Sequence, residues 1–311
     1  MRIHRRERLL CHSNRGISGN CGQSHGNVTR TSHSICKVRA SSLFPSIVPV
    51  YSQSPWRPIM KKIILLTISI AISLSSSIHG QDTAESANRR GLDELNKQDY
   101  QTAAGLFEQA IALKPDYASA HFNLGTAYFY LRRTQPAIDA LQRATKLDPS
   151  SASSHNQLGA VYLESGDNAR AIGAFKEAAW LSPGYASALY NLGCAYIRVG
   201  DFKSAVGSLE LAGKADPRNA EIRLNLAYAL SREKRVPEAI AEMEAAVNLS
   251  PADADLRLGL GNLFVLANDR TRAAEQYKRL REMDPIAAQK LYDAIHGGRI
   301  VTVAALRRSR N

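Results

Sequence analysis

The sequence is poor in the residues from which many active sites and metal centres are built. It has four cysteines among 311 residues, and only Cys194 lies beyond residue 59. One thiol cannot form a disulfide framework or a cysteine-based zinc site. Nucleophile-elbow, P-loop and HExxH motifs are also absent after residue 59. We therefore expect a chain that has no catalysis of its own and needs no cofactor or metal.

A concentrated basic surface is also missing, although the formal net charge is +12. Residues 1–59 hold nine Lys or Arg and one acid, and residues 286–311 hold five basic residues and one acid. Between them, residues 81–285 are balanced, with 24 basic and 26 acidic residues. Because nucleic-acid binding needs basic residues clustered on the folded part of the chain, we expect no nucleic-acid partner.

No apolar run is as long as the roughly 20 residues that a membrane-spanning helix needs. The longest, residues 63–74, is interrupted by Thr and Ser; it follows "MKK" at 60–62 and precedes three serines at 75–77. A basic start, an apolar middle and a small-residue exit are typical of a signal peptide. We therefore predict that residues 60–80 export the protein to the periplasm or the extracellular space. An uncleaved membrane anchor and a buried helix are the alternatives.

Residues 1–59 show no apolar periodicity and are rich in Ser, Arg and His. Such a segment buries too little apolar surface to offset its ordering entropy, so we predict a disordered extension. Since signal peptides act at an N-terminus, the natural start is expected at Met60. The alternative is an organellar leader, because transit peptides are also rich in Arg and Ser, and it would place the protein in an organelle lumen.

Proline recurs with a strict period of 34 residues, at Pro115, Pro149, Pro183, Pro217, Pro251 and Pro285. Twelve residues before each proline stands an alanine, from Ala103 to Ala273, and a large apolar residue follows that alanine by four. The strings "NLGTAY", "QLGAVY", "NLGCAY" and "NLAYAL" begin at residues 123, 157, 191 and 225. Apolar residues four apart form stripes on two successive helices, and the proline ends the second helix.

At these residues the sequence resembles the tetratricopeptide repeat (TPR) family, whose 34-residue pattern includes L-G-x2-Y, A-x3-F and a terminal Pro. The resemblance implies an all-α, right-handed solenoid of six helix-turn-helix repeats. The implied units are 84–117, 118–151, 152–185, 186–219, 220–253 and 254–287, followed by a C-terminal capping helix and basic tail within 286–311. One helix position is repeatedly Gly, which we expect to mark a close approach of the paired helix.

The resemblance also implies a concave groove that binds a protein or an extended peptide. The groove residues that it assigns are Phe122, Asn123, Phe129, Tyr130, Gln157, Tyr190, Asn191, Asn225 and Tyr228. The four amides stand 34 residues apart, and amides both donate and accept, so a row of them suits a peptide backbone. The aromatic rings would anchor the partner. The alternatives are that the amides belong to the repeats' own packing and that some rings pack inside the solenoid.

His121 and His155 occupy equivalent positions in adjacent repeats, which raises the question of a metal site. Packed helices lie about 8–10 Å apart, whereas each imidazole must come within about 2 Å of zinc. No third ligand is evident, so we predict that both histidines pack helices.

The whole sequence thus predicts an exported TPR scaffold that binds a protein partner. The alternative is a membrane-anchored TPR subunit of an envelope assembly or of a multi-subunit enzyme complex.

Overall fold

The computed structural model describes residues 83–297, and within them the chain forms thirteen α-helices and no strand. The predicted all-α TPR solenoid with a closing helix is confirmed. The predictions for residues 1–59, for the signal peptide at 60–80 and for the basic tail lie outside the described residues. From Thr83 to Gly297, no helix combines the length and the apolar character needed to cross a membrane.

The helices form six consecutive pairs, which we call units one to six. The first helices are α1 (Ala84–Asn96), α3 (Ala118–Tyr130), α5 (Ala152–Ser165), α7 (Ala186–Val199), α9 (Ala220–Arg232) and α11 (Ala254–Leu266). The second helices are α2 (Tyr100–Leu113), α4 (Thr134–Leu147), α6 (Asn168–Leu181), α8 (Phe202–Ala215), α10 (Val236–Leu249) and α12 (Arg270–Met283). Helix α13 (Pro285–Ile295) packs against α11 and α12 and closes the array.

The turn inside each pair contains one residue with positive φ, between 60° and 86°, and the six are Gln98, Arg132, Gly166, Gly200, Lys234 and Asn268. In four units an aspartate follows and caps the second helix. These residues, Asp99, Asp167, Asp201 and Asp269, each accept a hydrogen bond from the backbone N–H three residues on. Those hydrogen bonds hold the pKa of Asp99, Asp167 and Asp269 below its ordinary value, and at Asp201 the Ser204 hydroxyl lowers the pKa most, followed by the Ser204 backbone N–H.

A close contact between glycine and a large apolar side chain joins the two helices of a pair. A Cβ added to Gly125 would lie 2.5 Å from Leu141 Cγ, and the same contact distance in units one, three and four is 2.5–2.7 Å. The partner side chains are fully buried. The expected close approach is therefore present, and we call this recurring contact the apolar seam. In unit six the neighbour of Gly261 is Leu291 of α13, again at 2.5 Å.

A polar contact joins each of four first helices to the proline that ends the preceding unit. His121 Nε2 lies 2.9 Å from the Pro115 carbonyl, and His155 Nε2 lies 3.1 Å from that of Pro149. In units five and six the equivalent residues are Arg223 and Arg257, which donate to the carbonyls of Pro217 and Pro251. The two histidines thus fix separate inter-repeat turns. Among residues 83–297, no group of three or more His, Cys, Asp or Glu is placed to hold a metal ion.

Candidate binding groove

The groove face is defined here by the second, fifth, sixth, ninth, twelfth and thirteenth residues of each unit, all on first helices. It contains all nine side chains assigned from the sequence. Their order along the array follows from the 34-residue period, because equivalent residues of successive units lie on successive first helices. The groove face is therefore built from the same helix positions in every unit, and the residues at those positions differ from unit to unit.

Three of the predicted amides hydrogen-bond to the preceding first helix. Asn123 Nδ2 donates to Asn88 Oδ1 at 2.9 Å, and Asn191 Nδ2 donates to the equivalent Asn156 Oδ1 at 3.0 Å. Asn225 is fully buried, and its Nδ2 donates to the Tyr190 hydroxyl at 2.9 Å and to a carbonyl of its own helix. Each of these contacts joins the sixth position of one unit to the fifth position of the unit before it.

The predicted row of amides therefore needs revision: in the structure these donors link neighbouring repeats. Whether they also bind a ligand stays a prediction. Asn88 and Asn156, the acceptors, were not among the predicted site residues. The signal that would have found them is a spacing of 35 residues between polar side chains, one longer than the repeat.

Gln157 is the exception among the four amides. The fifth position of the preceding unit is Phe122, which offers no acceptor, and Gln157 Nε2 is buried without a hydrogen-bond partner. Between units five and six neither position has a polar side chain, since the fifth residue of unit five is Leu224 and the sixth residue of unit six is Gly259. The hydrogen bond between the fifth and sixth positions is thus present at three of the five junctions between units. It is absent between units two and three, where a donor has no acceptor, and between units five and six, where neither side chain is polar.

The predicted aromatic residues divide into accessible and packed side chains. Tyr130 is 38% exposed, and its ring stacks on Tyr100 of α2 with centroids 4.7 Å apart. Desolvation raises the pKa of its hydroxyl. Phe129 is half-buried, with its ring 5.6 Å from that of Tyr130. Phe122 is half-buried and packs against the apolar core of units two to four. These three rings make unit two the most aromatic part of the groove face.

Tyr190 and Tyr228 are half-buried and take part in contacts between repeats. Tyr190 accepts the hydrogen bond from Asn225. The Tyr228 ring lies 6.2 Å from Phe202, and its hydroxyl accepts from Arg232. The Arg232 guanidinium also lies 4.3 Å from the Phe202 ring centre, within the range of a cation–π contact. Part of each tyrosine surface is therefore used by the solenoid.

At the second and ninth positions of the groove face, exposure is greater in unit one than in unit six. At the second position, Glu85, Ser119 and Ser153 are exposed, Ser187 and Glu221 are half-buried, and Asp255 is 7% exposed. At the ninth position, Leu92 is 36% exposed, whereas Asn262 is 7% exposed and Cys194 is fully buried. The thirteenth position does not follow this order, since Tyr130 is 38% exposed in unit two and Leu266 is 51% exposed in unit six.

Two open depressions lie away from the groove face, and sequence reasoning did not identify them. The first, of about 540 Å³, is lined by residues of α2, α3 and α4, including His121 and Tyr128. Tyr128 donates to Glu108 there, and burial raises the pKa of its hydroxyl to about 12. The second, of about 700 Å³, lies at the equivalent place one repeat later, beside His155 and Tyr162. They repeat because the histidine and tyrosine positions repeat.

Comparisons with known proteins agree with this architecture. A family model described as tetratricopeptide repeat matches residues 124–186 and 190–254, and a second, described as TPR repeat, matches residues 91–131. No curated protein matches the sequence.

Similar solved structures include YrrB, "a TPR protein with an unusual peptide-binding site", at 22% identity and a TM-score of 0.53, over 59% of this chain and 95% of that one. PilF of Pseudomonas aeruginosa is 20% identical with a TM-score of 0.58, over 67% and 96%. A TPR protein of Parabacteroides merdae ATCC 43184 is 18% identical with a TM-score of 0.55, over 68% and 85%. At these identities the likeness is one of fold.

Proposed function

Because the chain belongs to the tetratricopeptide repeat family, whose models together match more than half of it, we propose that it is a protein-interaction scaffold. The proposed ligand is an extended segment of a partner protein, bound on the groove face of units one to three. The observation that carries this assignment is the accessible apolar surface there: Leu92 and Tyr130 are 36% and 38% exposed, with Phe129 half-buried beside them. The proposal gives the protein no reaction of its own.

The chemistry of this surface suits a peptide with large apolar side chains. Aromatic residues anchor interfaces well because they bury a large area at a small cost in side-chain entropy. An extended chain advances about 3.3 Å per residue and packed helices lie about 8–10 Å apart, so about three ligand residues would cross each unit. In this proposal Gln157 Nε2, which is buried and has no acceptor within the protein, donates to a ligand carbonyl after its side chain turns outward.

The test is capture of a partner by the full chain from its native compartment. Replacing Leu92 and Tyr130 together by Ala should abolish capture, since both anchors are removed while the apolar seam is untouched. The matched control is Trp180→Ala on α6, which removes a side chain that is 74% exposed but lies off the groove face. Equal capture by the groove variant and wild type, with both folded by circular dichroism, would sink the proposal.

We further propose that the scaffold works outside the cytoplasm, in the periplasm or extracellularly. The support is the sequence of residues 60–80, with its lysines, apolar run and small-residue exit. Mass spectrometry of the N-terminus of the native protein tests this. A first residue near 78–82 is expected, whereas a first residue at Met60 would favour the membrane-anchored alternative.

A further inference from the structure

Two large apolar side chains are exposed on the second helices of units three and four. Trp180 of α6 is 74% exposed, and Leu211 of α8 is 52% exposed. Trp180 is the twenty-ninth residue of unit three, where units two and four have Lys146 and Lys214. Leu211 is the twenty-sixth residue of unit four, where unit three has Glu177. Both are apolar where neighbouring repeats are charged, and such residues mark an interaction site when they lie together.

The repeat places Trp180 and Leu211 on the two walls of one depression. The depression beside His121 shows the arrangement, because Ala112 of α2 and Arg143 of α4 both line it. These are the twenty-ninth residue of one unit and the twenty-sixth of the next, and two repeats later the same positions hold Trp180 and Leu211. Helix α7 packs against both α6 and α8, as α3 packs against α2 and α4. The tryptophan and the leucine therefore lie on either side of α7.

The floor of this surface is also apolar. At the fourth position of unit four, Leu189 replaces the histidine of units two and three, and it is 4% exposed. Ala179, on the same wall as Trp180, is half-buried and packs against the apolar core. We call the surface formed by Trp180, Leu211, Leu189 and Ala179 the outer patch. An apolar side chain that enters it from outside would meet apolar side chains on the floor and on both walls.

The charges around the outer patch are of both signs. On α6, Lys176 and Glu177 stand within one turn of the tryptophan, and on α8, Glu210 and Lys214 stand within one turn of the leucine; all four are exposed. Glu177 and Lys214 have no ion-pair partner among residues 83–297. An acidic protein or an anionic lipid surface would be attracted by the two lysines and repelled by the two glutamates. The charge pattern therefore favours an occupant that carries both signs as well.

We propose that the outer patch binds the outer patch of a second copy of this chain and forms a two-fold symmetric dimer. In a two-fold interface the same surface is used on both subunits, so each copy supplies one Trp180 anchor and one groove for the anchor of the other. Apolar anchors at the centre and charges at the rim are the usual anatomy of a stable interface. Because each rim has acids and bases, the glutamates of one copy can lie near the lysines of the other.

The proposed dimer leaves the groove face free. The outer patch lies on the second helices of units three and four, whereas the groove face lies on first helices. Each copy therefore keeps its own groove, and the dimer presents two of them. This inference does not rest on the scaffold function, because self-association is measured without any partner.

The test is analytical ultracentrifugation of the full chain over a range of concentrations. The wild type should show a reversible equilibrium between monomer and dimer. Trp180→Lys, which gives unit three the residue of units two and four, should raise the dissociation constant by about tenfold or more. Leu211→Arg should act in the same direction. The matched control is Leu113→Arg on α2, at a leucine that is 51% exposed and lies outside the outer patch, and it should leave the dissociation constant unchanged.

A charge variant separates a second copy from a lipid surface. Glu177→Lys with Glu210→Lys makes the rim wholly basic, so two copies should repel each other and the dimer should weaken. Binding to vesicles of phosphatidylglycerol would instead become stronger in this variant, and vesicle binding that Trp180→Lys abolishes would make a lipid surface the occupant and overturn the proposal.

Two results of the centrifugation would also overturn it. One is a wild-type chain that stays monomeric at its highest soluble concentration. The other is a dimer that Trp180→Lys and Leu211→Arg leave unchanged while circular dichroism shows both variants folded, since another surface would then hold the copies together.

Discussion

Units one and two differ from unit six in their groove faces, although all three have the same glycine contact at the apolar seam. In units one and two the groove face presents Leu92 and Tyr130 to solvent, while in unit six Asp255 and Asn262 are buried. At the seam, Gly125 and Gly261 each meet a leucine at 2.5 Å. The seam is thus common to both ends and the groove face is particular to each unit. The repeated residues make the packing contacts, and the residues that vary give each unit a different groove face.

The largest expected effect tests whether the seam at the C-terminal end depends on the closing helix. Leu291→Ala removes a fully buried side chain that contacts Gly261, and such changes cost about 2–5 kcal/mol. Because repeats are coupled mainly to their neighbours, hydrogen exchange should rise first in α13 and unit six. The control is Ile286→Ala, at a side chain that is 69% exposed, which should change little. Unchanged exchange in unit six would mean that α13 is not part of the seam.

The next effect concerns the seam at the N-terminal end. Gly125→Ala places a Cβ 2.5 Å from Leu141 Cγ and 3.2 Å from the Ala137 carbonyl oxygen, and such overpacking costs about 1–3 kcal/mol. The control is Gly173→Ala on α6, where no atom lies within 4 Å of the new Cβ, and it should stabilise by about 0.5–1 kcal/mol. Urea denaturation measures both. Changes of the same sign would argue against a special close contact at Gly125.

A third effect, expected to have opposite signs in adjacent units, tests the hydrogen bonds of the groove face. Asn123→Ala leaves the buried Asn88 oxygen without its donor and should cost about 1–3 kcal/mol. Gln157→Met removes a buried donor that has no partner while keeping the side-chain volume, so it should be neutral or stabilise by up to about 1 kcal/mol. Equal destabilisation of the two variants in urea would show that Gln157 has a partner in solution.

The smallest effect is a pH dependence of stability, which we expect in units whose second helix has an aspartate cap and not in a unit that lacks a side-chain cap. The pKa of Asp167 is lowered in the folded protein by hydrogen bonds from Arg170, so its contribution is present above the ordinary value of 3.8. That contribution is lost as the pH falls through the lower folded pKa. The cost of Asp167→Asn should therefore be larger at pH 7 than at pH 3. In unit two, where Arg133 makes no side-chain cap, Arg133→Gln should show no such change. A pH-independent cost for Asp167→Asn would contradict the assignment.

The apolar seam could be predicted from the sequence because it depends only on the residue types and on their 34-residue spacing. The 34-residue spacing of Pro, Ala and the large apolar residue predicts equivalent contacts in successive units, and the repeated glycine predicted the close approach that units one to four show. What the period did not predict is the contact of Gly261, because Leu291 comes from α13 and interrupts the repeat. A terminal unit lacks a following repeat, so its packing depends on the one helix outside the pattern.

The groove face could be predicted only as a set of positions. The nine assigned residues belong to it by definition, and their binding role stays a prediction. The hydrogen bonds that engage Asn123, Asn191 and Asn225 join non-equivalent positions of neighbouring units. A search for residues 34 apart cannot find pairs that are 35 apart. The exposure of Tyr130 and the burial of Asp255 also lay beyond the sequence, because the period gives equivalent residues the same helix position and not the same accessibility.

The contacts between the fifth and sixth positions also restrict how such a gene can change by exchanging or copying its repeats. A chain in which unit four directly followed unit two would place Asn191 beside Phe122 and lose its acceptor. Duplicating unit three would do the reverse, giving the second copy of Gln157 an Asn156 to donate to. The apolar seam would accept either rearrangement. A few polar side chains therefore restrict the order of the repeats, whereas the apolar packing does not restrict the number of repeats.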